Sequence, residues 1–124
     1  MQNYCKKNKR RLLAKSIYLS NLEEGLDLRI NNHPILGLPK ERNKITIEID
    51  GQKIEALVGE PIAAALWNAG IRDFRYTKKR KEPRGFFCGI GLCTDCKMIV
   101  NGIHNVRTCI TLVQDGMKIY RQKD

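Results

Sequence analysis

Three cysteines fall within nine residues, Cys88, Cys93 and Cys96, in C-x4-C-x2-C spacing, and Cys109 follows after twelve intervening residues. Few features restrict a chain more. For three thiols to converge from so short a segment, the backbone must curl tightly. Gly89 and Gly91 lie where that curl needs positive φ and close backbone approach. Thiolate sulfur is a soft ligand, so the stretch Arg84–Cys96 reads as a loop around a soft metal centre, with the last thiolate returned by a neighbouring element. The fifth cysteine, Cys5, lies far upstream in a basic segment and reads as a bystander thiol. Clustered cysteines, and an odd total of five, favour metal ligands over disulfides and a reducing compartment, hence a cytoplasmic protein.

The remaining totals set the frame. A chain of 124 residues, 42% hydrophobic and 29% charged, suits one soluble domain that can bury its own core. It has no apolar run of membrane-spanning length. Lys15 interrupts the short apolar patch near the start, and no signal-peptide pattern follows. The net charge of +10 is concentrated in two blocks, Lys6–Lys15 and Arg72–Arg84. Such a field suits nucleic acid, an anionic membrane surface or an acidic protein partner, and charge does not choose among them.

The chain divides at about residue 27. Residues 1–27 read as a basic extension, flexible or ordered by a partner; Leu12, Leu13, Ile17 and Leu19 could form one side of a short helix and Ser20 with Glu23 a capping box. Residues 28–124 form the domain. Its lead-in, His33-Pro34-Ile35-Leu36-Gly37-Leu38-Pro39, is punctuated by prolines and glycine and is not helical. His33 reads there as a hydrogen-bonded surface group. Ile45, Ile47 and Ile49 alternate with polar residues, Asp50-Gly51 is a hairpin turn, and Ile54, Ala56 and Val58 alternate on a return strand. A helix opens at Glu60-Pro61, places Ile62, Ala65, Leu66 and Ala69 on one face, and stops at Gly70. Trp67 is assigned to core packing. Phe74 and Tyr76 alternate in a basic connector, Asp73–Lys81, that reads as a short edge strand and a rim for docking. After the cysteine loop come a strand at Lys97–Val100, a turn at Asn101-Gly102, a return strand through Ile103 and Val106, and a closing strand with Met117 and Ile119 inward. The order implies an α+β fold, a mixed sheet with one helix packed across it.

The spacing C-x4-C-x2-C…C is that of plant-type [2Fe-2S] proteins, and four thiolates fill the four protein positions of such a cluster, two on each iron. Curled backbone also aims N–H groups inward at an anionic centre. Zinc is the rival, but structural zinc sites pair two short knuckles, and only Cys93 and Cys96 make a C-x2-C pair. A thioredoxin-like role for that pair lacks its strand–turn–helix setting. Thr94 and Asp95 lie between ligands as candidates for a supporting role.

From about Asn31 to Arg121 the sequence resembles the small [2Fe-2S]-binding, β-grasp ferredoxin-like subunits of FAD-dependent amine and amino-acid dehydrogenase complexes. These are of the sarcosine oxidase, proline or hydroxyproline dehydrogenase and hydrogen cyanide synthase types. The resemblance is carried by His33-Pro34-Ile35-Leu36-Gly37, Ile47-Glu48-Ile49-Asp50-Gly51 and Glu60-Pro61-Ile62-Ala63-Ala64-Ala65-Leu66. It is carried most specifically by Pro83-Arg84-Gly85-Phe86-Phe87-Cys88-Gly89-Ile90-Gly91-Leu92-Cys93 and Asn105-Val106-Arg107-Thr108-Cys109. Free plant-type ferredoxins have a longer final gap. The resemblance implies Cys88, Cys93, Cys96 and Cys109 as cluster ligands, a β-grasp fold, FAD-containing partner subunits in a hetero-oligomer, and electron relay from their flavin. It says nothing of residues 1–27.

A free [2Fe-2S] carrier is the alternative, and a metal-stabilised nucleic-acid or structural module a weaker one. No helix-turn-helix or zinc-finger pattern supports the last, and no nucleic-acid partner is expected. His33 and His104 are isolated, and no G-x-G-x-x-G fingerprint is present. Substrate turnover and flavin binding therefore belong to other chains.

Overall fold

A computed structural model describes residues 28–123 of the protein. The expectations for residues 1–27, Cys5 included, lie outside them.

Two tight hairpins frame the sheet. β1 (Lys44–Ile49) and β2 (Gln52–Leu57) pair antiparallel, Ile49 opposite Gln52. Asp50 and Gly51 both take positive φ, 47° and 86°, the mirror-image turn whose twist matches that of paired strands. Asn101 and Gly102 repeat the device, at 49° and 83°, between β5 (Lys97–Val100) and β6 (Ile103–Arg107). Ile47, Ile49, Ile54 and Ala56 are buried as the alternation predicts. Val58 is not: it is exposed beyond the end of β2. There the chain reverses through Val58-Gly59, and the buried Glu60 closes the turn, its Oε1 accepting the Leu57 N–H at 2.9 Å.

The single helix, α1 (Ile62–Asn68), spans seven residues, with Pro61 in extended geometry at its N-cap. Pro61 thus stands one position outside the helix rather than at its first turn. Ile62, Ala63, Ala65 and Leu66 are buried, whereas Ala69, expected inward, is an exposed C-cap residue. Trp67 also departs from expectation. It is exposed on the outer side of α1, with the Arg72 guanidinium 3.8 Å over its ring. Its position one residue past Leu66 rotates it about 100° from the buried stripe, so it covers the edge rather than filling the core.

β7 (Lys118–Lys123) is the spine of the sheet. It runs parallel to β1 and to β3 (Arg75–Tyr76), and antiparallel to β5. Outside β3 lies β4 (Pro83–Arg84), giving the order β2-β1-β7-β3-β4, with β5 also paired to β7 and β6 paired to β5. β3 is therefore interior, not the edge strand its lysine-rich flank suggests. The edge is β4, where Pro83 lacks a donor to waste. Phe74 is wholly buried just ahead of β3. Residues Lys78–Lys81 loop outward instead of continuing the strand. The mixed sheet with one packed helix matches the expected α+β arrangement. Between them lie Ile47, Ile49, Ile62, Leu66, Phe74, Met98 and Ile119, all essentially without solvent contact. No helix among the described residues is long and apolar enough to cross a membrane.

Candidate metal centre

Each end of the cysteine loop is fixed by the sheet. Gly85 enters beneath the Arg72 carbonyl so closely that an added Cβ would lie 2.1 Å from that oxygen. Cys96 leaves directly into β5, and Cys109 stands two residues past β6. The return segment is held by the helix. The N–H groups of Ile62 and Ala63, unpaired within a helix start, donate to the Thr111 and Thr108 carbonyls at 2.9 and 3.0 Å. Thr108, fully buried, ties the two cysteine segments together, its hydroxyl donating to the Cys96 carbonyl at 2.8 Å.

Inside the loop, Gly89 and Gly91 take φ of 73° and 76°, conformations that cost an L-residue about 1–2 kcal/mol. The curl aims N–H groups at sulfur. Cys88 Sγ accepts the Cys93 N–H at 3.4 Å, and the Ile90 and Leu92 N–H groups also point to it. These donors, that of Cys93 foremost, pull the Cys88 thiol down to about 6. Cys109 is pushed the opposite way, to about 11, by burial first and then by the adjacent Cys96 thiol, against the Gly91 N–H that points at its sulfur. Cys88 thus feels Cys93 most closely and Cys109 feels Cys96, with Cys88 also acting on Cys109. All four are free thiols, Cys96 and Cys109 buried and Cys88 and Cys93 half-buried.

Two arginines missed by the sequence reading hold the outer curve. Arg107 Nε donates to the Cys93 carbonyl at 3.2 Å, and Arg75 Nε to the Thr94 carbonyl at 2.9 Å. Arg75 also pairs with Asp95 at 3.5 Å. Asp95 is therefore an anchor for an arginine, and Thr94 contributes its carbonyl. In sequence both arginines look like generic members of a basic chain; only the folding of β3 and β6 against the loop distinguishes them. His33 is remote in function from the thiols. Its Nδ1 accepts the Ile35 and Leu36 N–H groups of its own turn.

The donor set decides what the loop can hold. Among the described residues no three His, Cys, Asp or Glu side chains gather around a single-ion position. A closed zinc site needs four ligands on one ion, whereas a [2Fe-2S] cluster needs two thiolates on each of two irons. Four free thiols, inward N–H donors and glycines at positive φ fit the latter. The outer surface of the loop is apolar: Phe87, Ile90, Leu92, Ile110 and Leu112 are exposed. No charged residue occurs from Gly85 to Thr94, in a chain that is 29% charged. Beside it an apolar groove of about 490 Å³ runs between Leu28, Pro61, Trp67 and Phe86 to Gly89 and Cys109.

Fold, four free thiols and backbone donors together describe a ferredoxin-like iron–sulfur domain. Residues 42–124 match the family of 2Fe-2S iron–sulfur cluster binding domains, and the chain belongs to it. It is similar to hydrogen cyanide synthase subunit HcnA of Pseudomonas protegens, 31% identical over 81 residues, covering 65% of this chain and 76% of that one. The HcnA subunit of Pseudomonas aeruginosa is 32% identical over 81 residues, covering 65% and 77%. Among solved structures it resembles L-proline dehydrogenase from P. horikoshii, with a TM-score of 0.58 and 33% identity. That match covers 68% of this chain and 16% of the larger one.

Proposed function

We propose that this chain is the iron–sulfur electron-transfer subunit of a multi-subunit, flavin-dependent amine or amino-acid dehydrogenase or oxidase. Its substrate would be of the sarcosine, proline or hydroxyproline type. The observation that carries this reading is a set of four free thiols on and beside a curled, N–H-lined loop, in a domain of the 2Fe-2S family. Similarity to a hydrogen cyanide synthase subunit and to part of an L-proline dehydrogenase supports the assignment to an amine- or amino-acid-oxidising complex. In this reading Cys88 and Cys93 hold one iron, and Cys96 and Cys109 the other. When bound, a [2Fe-2S] cluster supplies transfer of one electron at a time.

The chain's own residues do the rest. The N–H groups of Ile90, Leu92 and Cys93 offset negative charge at sulfur, which raises the potential of such a centre. Phe87, Ile90 and Leu92 exclude water where a partner approaches. The domain occupies residues 28–124, with residues 1–27 a basic extension. Substrate and FAD sites belong to the partner subunits, nucleic acid is not a ligand, and the complex works in the cytoplasm.

Iron and acid-labile sulfide should be present in equal amounts in the purified protein, and affinity capture of the full chain should retain FAD. Zinc without sulfide would overturn the cluster. A cluster-bearing chain that retains no flavin would favour a free carrier.

A further inference from the structure

Residues 30–42 make an excursion that the fold itself does not use. Before it, the Leu28 N–H donates to Asn68 Oδ1 at 2.7 Å, and Arg29 pairs with Glu60 at 2.9 Å. After it, the Asn43 carbonyl accepts the Val58 N–H at 3.0 Å. The two anchor points, Val58 and Glu60, are neighbours, so the arm leaves and re-enters the domain at one place, the form of a compact surface loop. Among the described residues, no hydrogen bond or ion pair joins residues 30–42 to the rest of the domain.

Its tip is nonetheless built. His33 and Gly37 exchange both backbone hydrogen bonds, at 3.0 and 2.8 Å, and Gly37 takes φ of 72°. His33 Nδ1 accepts the Ile35 and Leu36 N–H groups at 3.2 and 3.0 Å. Pro34 and Pro39 stiffen the flanks. This self-contained knuckle presents Ile35, Leu36 and Leu38 at 87%, 81% and 79% exposure. Exposed aliphatic side chains on a pre-ordered turn are unfavourable in water and lose little further entropy on docking.

We propose that residues 30–42 are a docking arm whose knuckle inserts into an apolar cleft on the flavin-containing subunit. This rests on the function proposed above. The arm's base supplies that link. Leu28 and Arg29 line the same groove as Phe86, Gly89 and Cys109, so the groove beside the cysteine loop ends at the residues from which the arm departs. In this proposal a chain seated over the loop and along that groove reaches the arm's base. Three side chains are too small an interface alone, since stable complexes bury about 800 Å² per partner; joined to the loop face they complete one. Lys40 and Arg42 outnumber Glu41 on the return limb, which matches a cleft with an acidic rim. The arm serves assembly and takes no part in electron transfer.

The test uses the tagged full chain in its native cells, reading FAD retained per iron after capture. The Ile35→Ser/Leu36→Ser double variant should retain at least tenfold less FAD with iron and sulfide unchanged. His33→Ala keeps every apolar side chain but loosens the tip, and should lower retention about threefold. Undiminished FAD in the double variant overturns the arm. So does loss of its cluster, which would place these residues in the fold. So does an isolated wild-type dimer that the double variant dissolves while FAD retention stands, since the occupant would then be a second copy. Wild-type protein that carries its cluster but captures no FAD fails differently: it removes the parent reading and the arm with it.

Discussion

Thr108 is the buried clamp between the two halves of the thiol set, and replacing it separates two effects. Thr108→Val keeps shape and removes the hydroxyl that donates to the Cys96 carbonyl at 2.8 Å. That carbonyl retains the Thr108 N–H at 3.3 Å, so it is not stranded. The loss is one ordinary buried hydrogen bond, about 1 kcal/mol. Thr108→Ser keeps the donor and removes a methyl group from a fully buried site, which also costs about 1 kcal/mol. Urea midpoints should therefore fall by similar amounts. Retention of the cluster should not. Only the valine variant removes one of the two hydrogen bonds that tie Cys96 to the segment carrying Cys109, so iron release to a chelator should quicken several-fold in Val and little in Ser. Equal release rates in two variants of equal stability would refute the clamp.

Three other outcomes follow from the same geometry. Cys109→Ser should lose iron and sulfide, whereas Cys5→Ser should leave the visible spectrum intact; the reverse would refute the ligand set. Gly85→Ala drives a Cβ against the Arg72 carbonyl, a backbone atom that cannot step aside. It should cost about 3 kcal/mol, the upper end for overpacking, and a wild-type melting temperature would contradict it. The Tyr76 hydroxyl donates to Asp73, and this bond, followed by burial, raises the phenol above its usual 10.0. A raised acid stabilises the fold below its unfolded value and ceases to as pH rises through its folded value. The melting-temperature gap between wild type and Tyr76→Phe should therefore be widest below pH 10.0 and close above it; a gap that widens with alkali would oppose this.

Features fixed by neighbouring residues were legible in the sequence. Asp50-Gly51 and Asn101-Gly102 dictate their turns without help from the fold, and Ile62, Ala65 and Leu66 mark the buried side of α1. The cysteine spacing named the site chemistry before any strand was placed. Features fixed by distant partners were not legible. Tyr76 is interior because Lys123 lies beside it, 47 positions away in the chain. Arg75 and Arg107 matter because two strands bring them against loop carbonyls. Trp67 lies outside the core because a seven-residue helix has one buried stripe, already filled by Ile62, Ala63, Ala65 and Leu66.

The short return from Cys96 to Cys109 is explained by one irregular hairpin. β5, its two-residue turn, β6 and Thr108 account for all twelve intervening residues. β5 and β6 do not match in length: Val100 pairs with Ile103, but Met98 pairs with Val106. Ile99 therefore faces both His104 and Asn105, a bulge with its extra residue on β6. Asn105 takes φ of 61° and is braced on β7. Its N–H donates to Gln122 Oε1 at 3.0 Å, and Gln122 Nε2 donates to its Oδ1 at 2.8 Å. Side chains alternate faces along a strand, so one residue more or less reverses everything beyond it. The bulge thus sets the side on which Cys109 emerges. Deleting Asn105 should turn Cys109 away and abolish cluster binding. Asn105→Gly keeps the residue count, the positive φ and the backbone N–H but loses the side-chain half of the brace, so it should retain the cluster with lower thermal stability. A deletion variant that still binds iron and sulfide in wild-type amounts would show that register does not place the fourth thiol.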